Sequence, residues 1–309
     1  DALPEVGHAC GHSYSCAISI LGALLLKKFY PDLPMRIDLV GTPGEEFVGG
    51  KCYMTENGAF DEYEYAAMIH LYNRDSTYFE ILASNDRYFT FHGKAAHASA
   101  FPEEGVNALN AARLYMEAMD MWRQHITKDC QFHGIVVKGG EAPNIVPEEV
   151  CLDYYYRAAT LENLWKLNKI SENCARGAAL ATGTEVEWQQ RYPDYGEIYW
   201  NEYMDQIMKD IFEHVGRTCE DSPGPGGSSD IGNVNLKIPV FHPLLDITGK
   251  DKTCVVHDRR FERILHTTEM QKALYDGGKI LYELGYLLAT NEEKLKSIKE
   301  MHKKYRKLV

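Results

Sequence analysis

The sequence lacks a surplus of positive charge, and it lacks any apolar run that could cross a membrane. Its 309 residues include 33 Lys and Arg against 45 Asp and Glu, which gives a formal net charge of −12. Because nucleic-acid binders usually carry a basic surplus or patch, we expect no nucleic-acid partner. The longest apolar run covers 17–26, whereas a spanning helix needs about 20 apolar residues. We therefore expect no membrane insertion either.

The cysteines also lack the close, regular spacing of a disulfide framework, and no segment of the chain repeats another. The eight cysteines stand at positions 10, 16, 52, 130, 151, 174, 219 and 254. Disulfide frameworks belong mainly to short secreted domains. In a chain of this length we interpret the cysteines as mostly reduced, buried thiols. This interpretation favours a cytoplasmic location.

Length and composition indicate two globular domains of mixed α/β class. A domain has roughly 150 residues, and the hydrophobic and charged fractions, 45% and 25%, are ordinary for a folded protein. Apolar residues recur at three- and four-residue spacing over 13–28, which predicts a helix. Short apolar segments at 35–40 and 65–70 predict two strands. The alternation of helices with such strands favours a parallel sheet.

A second pattern begins near residue 84 and ends near residue 192. It predicts the order β-α-β-β-α-β, with strands at 87–92, 134–138, 149–157 and 185–189 and helices at 105–125 and 161–181. Mixed structure then resumes, with helices at 201–215 and 269–288, a strand at 238–242 and a charged helical tail at 291–309. We therefore expect one domain, 84–192, to be inserted into a larger one formed by 1–83 and 193–309.

Residue types that bind metal ions cluster in the first seventy positions. Cys10 and His12 stand two apart on a glycine-containing loop, Glu45 and Glu46 follow the predicted strand 35–40, and His70 ends the next strand. Open α/β sheets place their sites at such strand ends, and thiolate, imidazole and carboxylate are the ligands of zinc and its neighbours. Each signal alone has a plainer interpretation, a buried thiol beside a structural histidine or a solvated acidic loop. Their shared placement favours a metal site.

Motifs along the whole chain resemble those of the aminoacylase/carboxypeptidase metallopeptidases of clan MH, in their amidohydrolase branch. The matching stretches are DALPEVGHACGH at 1–12, GTPGEE at 41–46, AAMIH at 66–70, HGKAAHASAFPEEGVNALNA at 92–111, GGEAPNIVPEE at 139–149, YYYRA at 154–158 and GGSSDIGNV at 226–234. Within this branch the subgroup resembled most contains aminobenzoyl-glutamate hydrolases and small dipeptidases. The resemblance implies a zinc-peptidase-like catalytic domain, whose mixed sheet is flanked by helices, and an inserted ferredoxin-like domain for dimerisation or as a lid.

The resemblance also implies a role for each matching residue of the catalytic domain. Cys10, His12, Glu46 and His70 match metal ligands, Glu45 matches the catalytic base, and Asp1 matches an aspartate that supports the site. If 45–46 is extended, the two carboxylates point in opposite directions, one to the ions and one to the attacking water. The implied cofactor is a pair of divalent ions, zinc or manganese, with cobalt as a further candidate.

The last metal ligand should be a histidine near the C-terminus, and two histidines compete for this role. His257 lies about twenty residues before Gly278, the distance to the last long helix that the family shows. His266 falls at the start of that helix, where its plainer interpretation is a capping or surface residue. We therefore predict His257 as the ligand.

In the inserted domain the resemblance assigns residues to the substrate. His97 matches a histidine that stabilises the oxyanion, in dimeric relatives from the partner subunit, so we expect a homodimer. Asn144 and Arg157 match residues that bind the substrate carboxylate, for which arginine offers a bidentate fork. Gly227 and Ser228 could lend backbone N–H groups to the same carboxylate, although a plain flexible loop is an equal interpretation.

Together these assignments imply a metal-dependent amidohydrolase that acts on small N-acyl amino acids or dipeptides. The alternative is a catalytically inactive relative that binds acylated amino acids or serves as a scaffold. The sequence departs from the branch at Ser13, where Asp or Asn is usual, so support of the His12 loop differs. Relatives also carry several dozen residues before the DALP motif. We therefore expect this sequence to begin part-way through the catalytic domain.

Overall fold

A computed structural model describes residues 2–306 of the chain. The chain divides into two compact units. The outer unit comprises the described residues before 82 and after 195, and the inserted unit is Leu82–Tyr195. In this described part no helix has both the length and the apolar character that crossing a bilayer requires.

The first half of the outer unit carries four of the five predicted metal ligands, in or beside two helices and two short strands. Its elements are α1 (His12–Phe29), α2 (Gly50–Glu56), β1 (Ala66–Ala67) and β2 (His70–Tyr72). Gly11 precedes α1 with φ 79°, and a Cβ there would lie 2.8 Å from Leu71. Only glycine satisfies both conditions without strain. The tight turn therefore brings the start of α1 against β2.

The second half of the outer unit completes short parallel strand pairs and adds the long C-terminal helices. Its elements are α5 (Glu202–His214), α6 (Ile231–Asn235), β7 (Val240–Phe241), β8 (Leu244–Asp246), α7 (Arg259–Ile264), α8 (Thr268–Thr290) and α9 (Glu292–Tyr305). β1 pairs with β7 and β2 with β8, both in parallel. Helices α1 and α8 cross closely because Gly22 faces Leu281 and Gly278 faces Leu21. The core beneath contains Ile18, Leu71 and Phe241.

The inserted unit has the predicted ferredoxin-like order of elements. They are β3 (Ala83–His92), a 3₁₀ turn (Pro102–Glu104), α3 (Ala108–Trp122), β4 (Gln131–Lys138), β5 (Glu149–Ala158), α4 (Leu161–Thr182) and β6 (Glu185–Gln189). The strands form one antiparallel sheet in the order β4-β5-β3-β6, which is that of a split β-α-β motif. Asn107 and Thr160 cap α3 and α4 with their side chains, as the capping preference of these residues explains.

Two predicted strands of the outer unit are wrong in detail. Residues 35–40 have no regular secondary structure, and Ile37, Leu39 and Val40 are 37%, 54% and 39% exposed. A strand needs a neighbouring strand to pair with, and no described segment forms a ladder with 35–40. The strand predicted at 65–70 is split into β1 and β2, so that His70 begins a strand instead of ending one.

The long helices predicted for the outer unit were confirmed, whereas several of its short elements were not predicted. The helices predicted at 13–28, 201–215 and 269–288 are α1, α5 and α8, whereas α6, α7 and β8 were missed because they are only three to six residues long. None of the eight cysteines forms a disulfide with another described cysteine. The expectation of mostly buried thiols holds for four of them, while Cys16 is exposed.

Candidate functional site

Six side chains of the outer unit gather ligand atoms within reach of common ions. Three overlapping groups each have all their ligand atoms within 4.8 Å of one another: Cys10 with His12 and His70, Cys10 with Glu46 and His257, and His12 with Glu45 and Glu46. Because Cys10, His12 and Glu46 each belong to two groups, the groups share one place in the fold. The structure thus brings together all five predicted metal ligands and the predicted base.

The loop before α1 and the start of β2 present Cys10 and His70 to each other. Cys10 Sγ lies 3.5 Å from His70 Nε2, and His70 Nδ1 lies 2.8 Å from the Leu71 carbonyl oxygen. Since a carbonyl only accepts hydrogen bonds, Nδ1 carries the proton and Nε2 presents its lone pair to the sulfur. Metal-binding histidines are held in the same way by a backbone carbonyl on the second ring nitrogen.

Glu45 and Glu46 lie in a turn, which corrects the expectation of an extended segment. Residues 45–48 form the turn, and the Gly44 carbonyl accepts hydrogen bonds from the amides of Val48 and Gly49 at 3.1 and 2.9 Å. Both carboxylates consequently face one imidazole. Glu45 Oε2 lies 3.7 Å from His12 Nε2, and Glu46 Oε1 lies 3.6 Å from His12 Nδ1.

His257 and His266 have different surroundings. His257 Nε2 lies 3.6 Å from Glu46 Oε2, and its backbone amide donates a 2.8 Å hydrogen bond to the Ala9 carbonyl. His257 adopts φ 70°, a left-handed conformation that is unusual for a residue with a Cβ. His266 instead pairs with Glu262 at 2.9 Å and belongs to none of the three groups found among the described residues.

The electrostatics of the cluster fit a bound cation. Burial and the carboxylates of Glu46 and Glu45 raise the pKa of the Cys10 thiol, and burial and Glu45 raise the pKa of Glu46. Acidic groups held this close together in a buried place favour a positive ion between them, which would keep a ligating thiol deprotonated. Burial lowers the pKa of both His12 and His70 to about 4, so that each imidazole is neutral, as a ligand must be. Sulfur, nitrogen and oxygen donors together match zinc and its neighbours.

A cavity of about 980 Å³ in the outer unit opens beside the cluster. Its lining includes polar side chains next to the cluster, namely His12, Glu45, Lys51, His70, Ser229 and His242. Apolar side chains of α1 and α8, among them Ile20 and Leu281, also line it. The site therefore offers both polar groups and room for an organic ligand.

Two comparisons with known proteins show the family of this chain. The profile of the peptidase dimerisation domain of M20 peptidases matches residues 87–181. The chain is 37% identical over 255 residues to the mouse Xaa-Arg dipeptidase, across 80% of this chain and 59% of that protein. The chain belongs to the M20 peptidase family.

One further curated relative and one solved structure are similar to this M20 chain. It is 30% identical over 222 residues to one of the subunits of the Escherichia coli p-aminobenzoyl-glutamate hydrolase, across 69% of this chain and 45% of that protein. The Bacillus subtilis YXEP protein, described as a dinuclear metal-binding peptidase of the M20 family, shares the fold with a TM-score of 0.62 at 17% identity, across 91% of this chain and 74% of that one. The chain spans about half to three fifths of the length of these curated relatives.

In the inserted unit of this M20 chain, His97 and Asn144 lie together. His97 pairs with Ile145 in an isolated antiparallel bridge, and the Ala98 amide donates to the Asn144 carbonyl at 2.9 Å. His97 Nδ1 accepts a hydrogen bond from the Ala100 amide at 3.2 Å. The His97 proton therefore sits on Nε2, which leaves that nitrogen as a donor.

Arg157 lies far from that pair. His92 is opposite Glu149 and Ser84 is opposite Arg157, so that β5 places Arg157 at the end away from His97 and Asn144. Arg157 lies eight positions along β5 from Glu149, which corresponds to roughly 26 Å. Within one chain, a single small substrate therefore cannot contact both Asn144 and Arg157. This corrects the expectation from the sequence that both residues bind the same carboxylate.

The remaining predicted residues of the M20 chain are placed as follows. Gly227 forms an isolated parallel bridge with Ile81, and Ser229 of the same loop, not Gly227 or Ser228, lines the cavity. Asp1 lies outside the described residues.

Three residues near the site were missed by the sequence analysis. His242 is 2% exposed and its ring centroid lies 5.6 Å from that of His70. Its position at the end of the predicted strand 238–242 could have suggested it, because open α/β sheets place their sites at strand ends. Lys51 and Asp230 form a buried ion pair across 179 residues of sequence, and no local pattern reveals such a pair.

Proposed function

We propose that this chain is the catalytic part of a metal-dependent amidohydrolase. The observation that carries the proposal is the convergence of one thiol, three imidazoles and two carboxylates in a single place. Its substrates are N-acyl amino acids or dipeptides that keep a free carboxylate. The names of the relatives, a dipeptidase and an aminobenzoyl-glutamate hydrolase, support this class of bond.

Cys10, His12, Glu46, His70 and His257 would hold two divalent ions, zinc or manganese, with cobalt as a further candidate. Such ions lower the pKa of bound water and polarise a carbonyl oxygen. Asp1 stays a prediction as the residue that supports the site.

Glu45 is the proposed general base. It would accept the proton of the attacking water and return that proton to the leaving amine, since one positioned carboxylate can act first as a base and then as an acid. Its neighbour Glu46 is the more buried of the two, with side chains 7% and 18% exposed. The more accessible carboxylate is thus the one assigned to proton transfer.

The substrate-binding roles rest on donor chemistry. His97, with its proton on Nε2, is proposed to donate to the developing oxyanion. Asn144, Gly227 and Ser228 are proposed to bind the substrate carboxylate. Arg157 remains a second candidate for a carboxylate, at a place distinct from that of Asn144.

The test combines metal content with release of amine. The purified protein is loaded with zinc or manganese and assayed against acetyl-amino acids, aminobenzoyl-glutamate and dipeptides, with E45Q as the control. We expect about two ions per chain and hydrolysis that E45Q abolishes. Ion binding without hydrolysis of any substrate would favour the inactive relative, and a chain that binds no divalent ion would overturn the proposal.

We also propose a homodimer that forms through the inserted unit, as the match to a dimerisation domain supports. β4 lies at one edge of the sheet, and its Ile135, Val136 and Val137 are 66%, 47% and 50% exposed. Exposed apolar edge strands readily pair with another chain. A charge at this edge, V136K, should yield monomers in sedimentation, whereas L180K on α4, at an 86% exposed leucine, should not. A V136K protein that remains dimeric would refute this edge as the interface.

The cytoplasmic location remains a prediction, supported by eight cysteines without a disulfide among the described residues.

A further inference from the structure

A buried ion pair stands next to the candidate metal centre. Lys51 is 5% exposed and Asp230 is fully buried. Asp230 Oδ1 accepts from the Lys51 ammonium at 2.7 Å, and Asp230 Oδ2 accepts from the Lys51 backbone amide at 2.8 Å. One carboxylate therefore binds both the side chain and the main chain of one residue.

On the Lys51 side, this pair holds the turn that carries Glu45 and Glu46. Lys51 is the second residue of α2, whose preceding residue Gly49 provides no side-chain cap. Asp230 thus satisfies an amide that the helix itself leaves without a partner, and a carboxylate is favourable at a helix N-terminus. The two ends of the turn pack tightly, Gly50 against Pro43, because a Cβ on Gly50 would lie only 1.8 Å from the Pro43 carbonyl oxygen. The position of Gly50 and Lys51 therefore determines the orientation of the Glu45 and Glu46 carboxylates.

On the Asp230 side, the pair holds the loop 226–229. Asp230 directly follows Ser229, which lines the cavity together with His12 and Glu45. The other end of this loop is held by the bridge between Gly227 and Ile81. The loop therefore runs past the cavity between two fixed points, one of which is the ion pair.

We propose that Lys51 and Asp230 are a positioning pair, which fixes the Glu45–Glu46 turn and the 226–229 loop relative to each other. This inference rests on the proposed function, since it treats Glu46 as a metal ligand. Neither residue is assigned to the metal or to the reaction. Their contribution is to hold a ligand and a substrate loop in register, and partners of that kind typically change metal affinity by about 10–100-fold.

Removal of both charges separates positioning from stability. A single substitution leaves one buried charge without its partner and destabilises the fold, whereas an apolar pair of similar size often restores stability. The variant K51M/D230L removes the ion pair together with both hydrogen bonds of Asp230. If the pair only stabilises the fold, this variant regains normal zinc affinity. If the pair positions the turn, zinc affinity stays low although the fold is stable.

The experiment measures zinc affinity by chelator competition and thermal unfolding without metal, for the unsubstituted protein and each variant. We expect K51M/D230L to unfold near the unsubstituted protein but to bind zinc about 10–100-fold more weakly. D230N keeps an acceptor for the Lys51 amide and should therefore lose less zinc affinity than the double variant. It also provides a second measurement if the double variant does not fold. The control is R217M/D75L, which removes another partly buried pair of this unit, with a 2.9 Å contact, away from the cavity lining. Because Arg217 also pairs with the buried Asp276 at 2.8 Å, this variant leaves a carboxylate without its arginine. It should therefore lose stability without losing zinc affinity.

The outcomes separate the two claims. The positioning role is overturned if zinc affinity is unchanged in both K51M/D230L and D230N. In the same experiment E46Q is the positive control, because it should lose zinc whether or not the pair positions the turn. Zinc affinity that falls equally in R217M/D75L also overturns the positioning role, because the loss would then follow stability alone. An unsubstituted protein that binds neither zinc nor any other divalent ion overturns the proposed function itself.

Discussion

His257 combines a predicted ligand with an unfavourable backbone conformation, and replacing it by glycine separates the two. Its φ of 70° costs a residue with a Cβ about 1–2 kcal/mol. Glycine avoids this cost but loses about 0.4–1 kcal/mol more chain entropy on folding than alanine. The net advantage of H257G over H257A therefore lies between zero and about 1.6 kcal/mol, with a midpoint of about 0.8 kcal/mol. Both variants lack the imidazole, so this comparison isolates the backbone.

The assay is thermal unfolding of H257G and H257A in the presence of a chelator. For a chain of 309 residues the entropy of unfolding is about 0.65 kcal/mol/K, so we expect H257G to unfold about 1–2 °C above H257A. Zinc affinity should fall in both variants by at least about 100-fold, since outer partners of a site alone are worth 10–100-fold. The gain in stability and the loss of metal would show that the strained backbone serves the site.

H266A is the control for this series. The His266 side chain is 74% exposed and pairs with Glu262, and exposed pairs contribute little. H266A should leave both unfolding temperature and zinc affinity unchanged. The reasoning fails if H257G unfolds no higher than H257A, and the choice of ligand fails if H266A loses zinc while H257A keeps it.

Three further predictions concern other groups. E45Q should lose at least about a hundredfold in turnover while it keeps zinc, whereas E46Q should lose zinc, as measured by chelator competition; the reverse pattern would exchange their roles. C10S should bind zinc more weakly and prefer harder ions such as manganese, because a hydroxyl replaces a thiolate; unchanged zinc affinity would remove Cys10 from the site. Burial lowers the pKa of His302 from its usual 6.5, so below about pH 6.5 the unfolded chain takes up a proton that the folded chain does not. The free energy of unfolding should therefore fall more steeply with falling pH in the unsubstituted protein than in H302Q, and equal slopes in urea titrations would refute this.

Elements whose signals are local could be predicted from the sequence. The periodicity of 13–28 predicts α1 because a helix satisfies its hydrogen bonds within itself. The β-α-β-β-α-β order of the inserted unit was equally accessible, because each element carries its own period and the connections are short. The proposed metal ligands Cys10 and His12 stand out because a thiol and an imidazole have few other reasons to stand together on a glycine-containing loop.

Features that depend on distant partners could not be predicted. A strand is defined by its neighbour, and 35–40 has an apolar pattern without a described neighbour. The separation of Asn144 from Arg157 depends on the register of β5 against β3, which is a property of the sheet. Lys51 and Asp230 give no signal, because a lysine and an aspartate 179 positions apart are indistinguishable from surface residues until the chain has folded.

The insertion of one unit within the other has a consequence for the order of folding. The pairing of Ala66 with Val240 requires the chain to close over the whole of Leu82–Tyr195, and closing a loop of that length costs about 4 kcal/mol in entropy. Within the inserted unit, Ser84 and Tyr195 exchange two backbone hydrogen bonds of 3.0 and 2.8 Å. Once this unit has formed, its two ends are joined and most of that closure cost has already been met. The inserted unit should therefore fold first. Cys10 and His257 should come together only afterwards, when the outer unit closes.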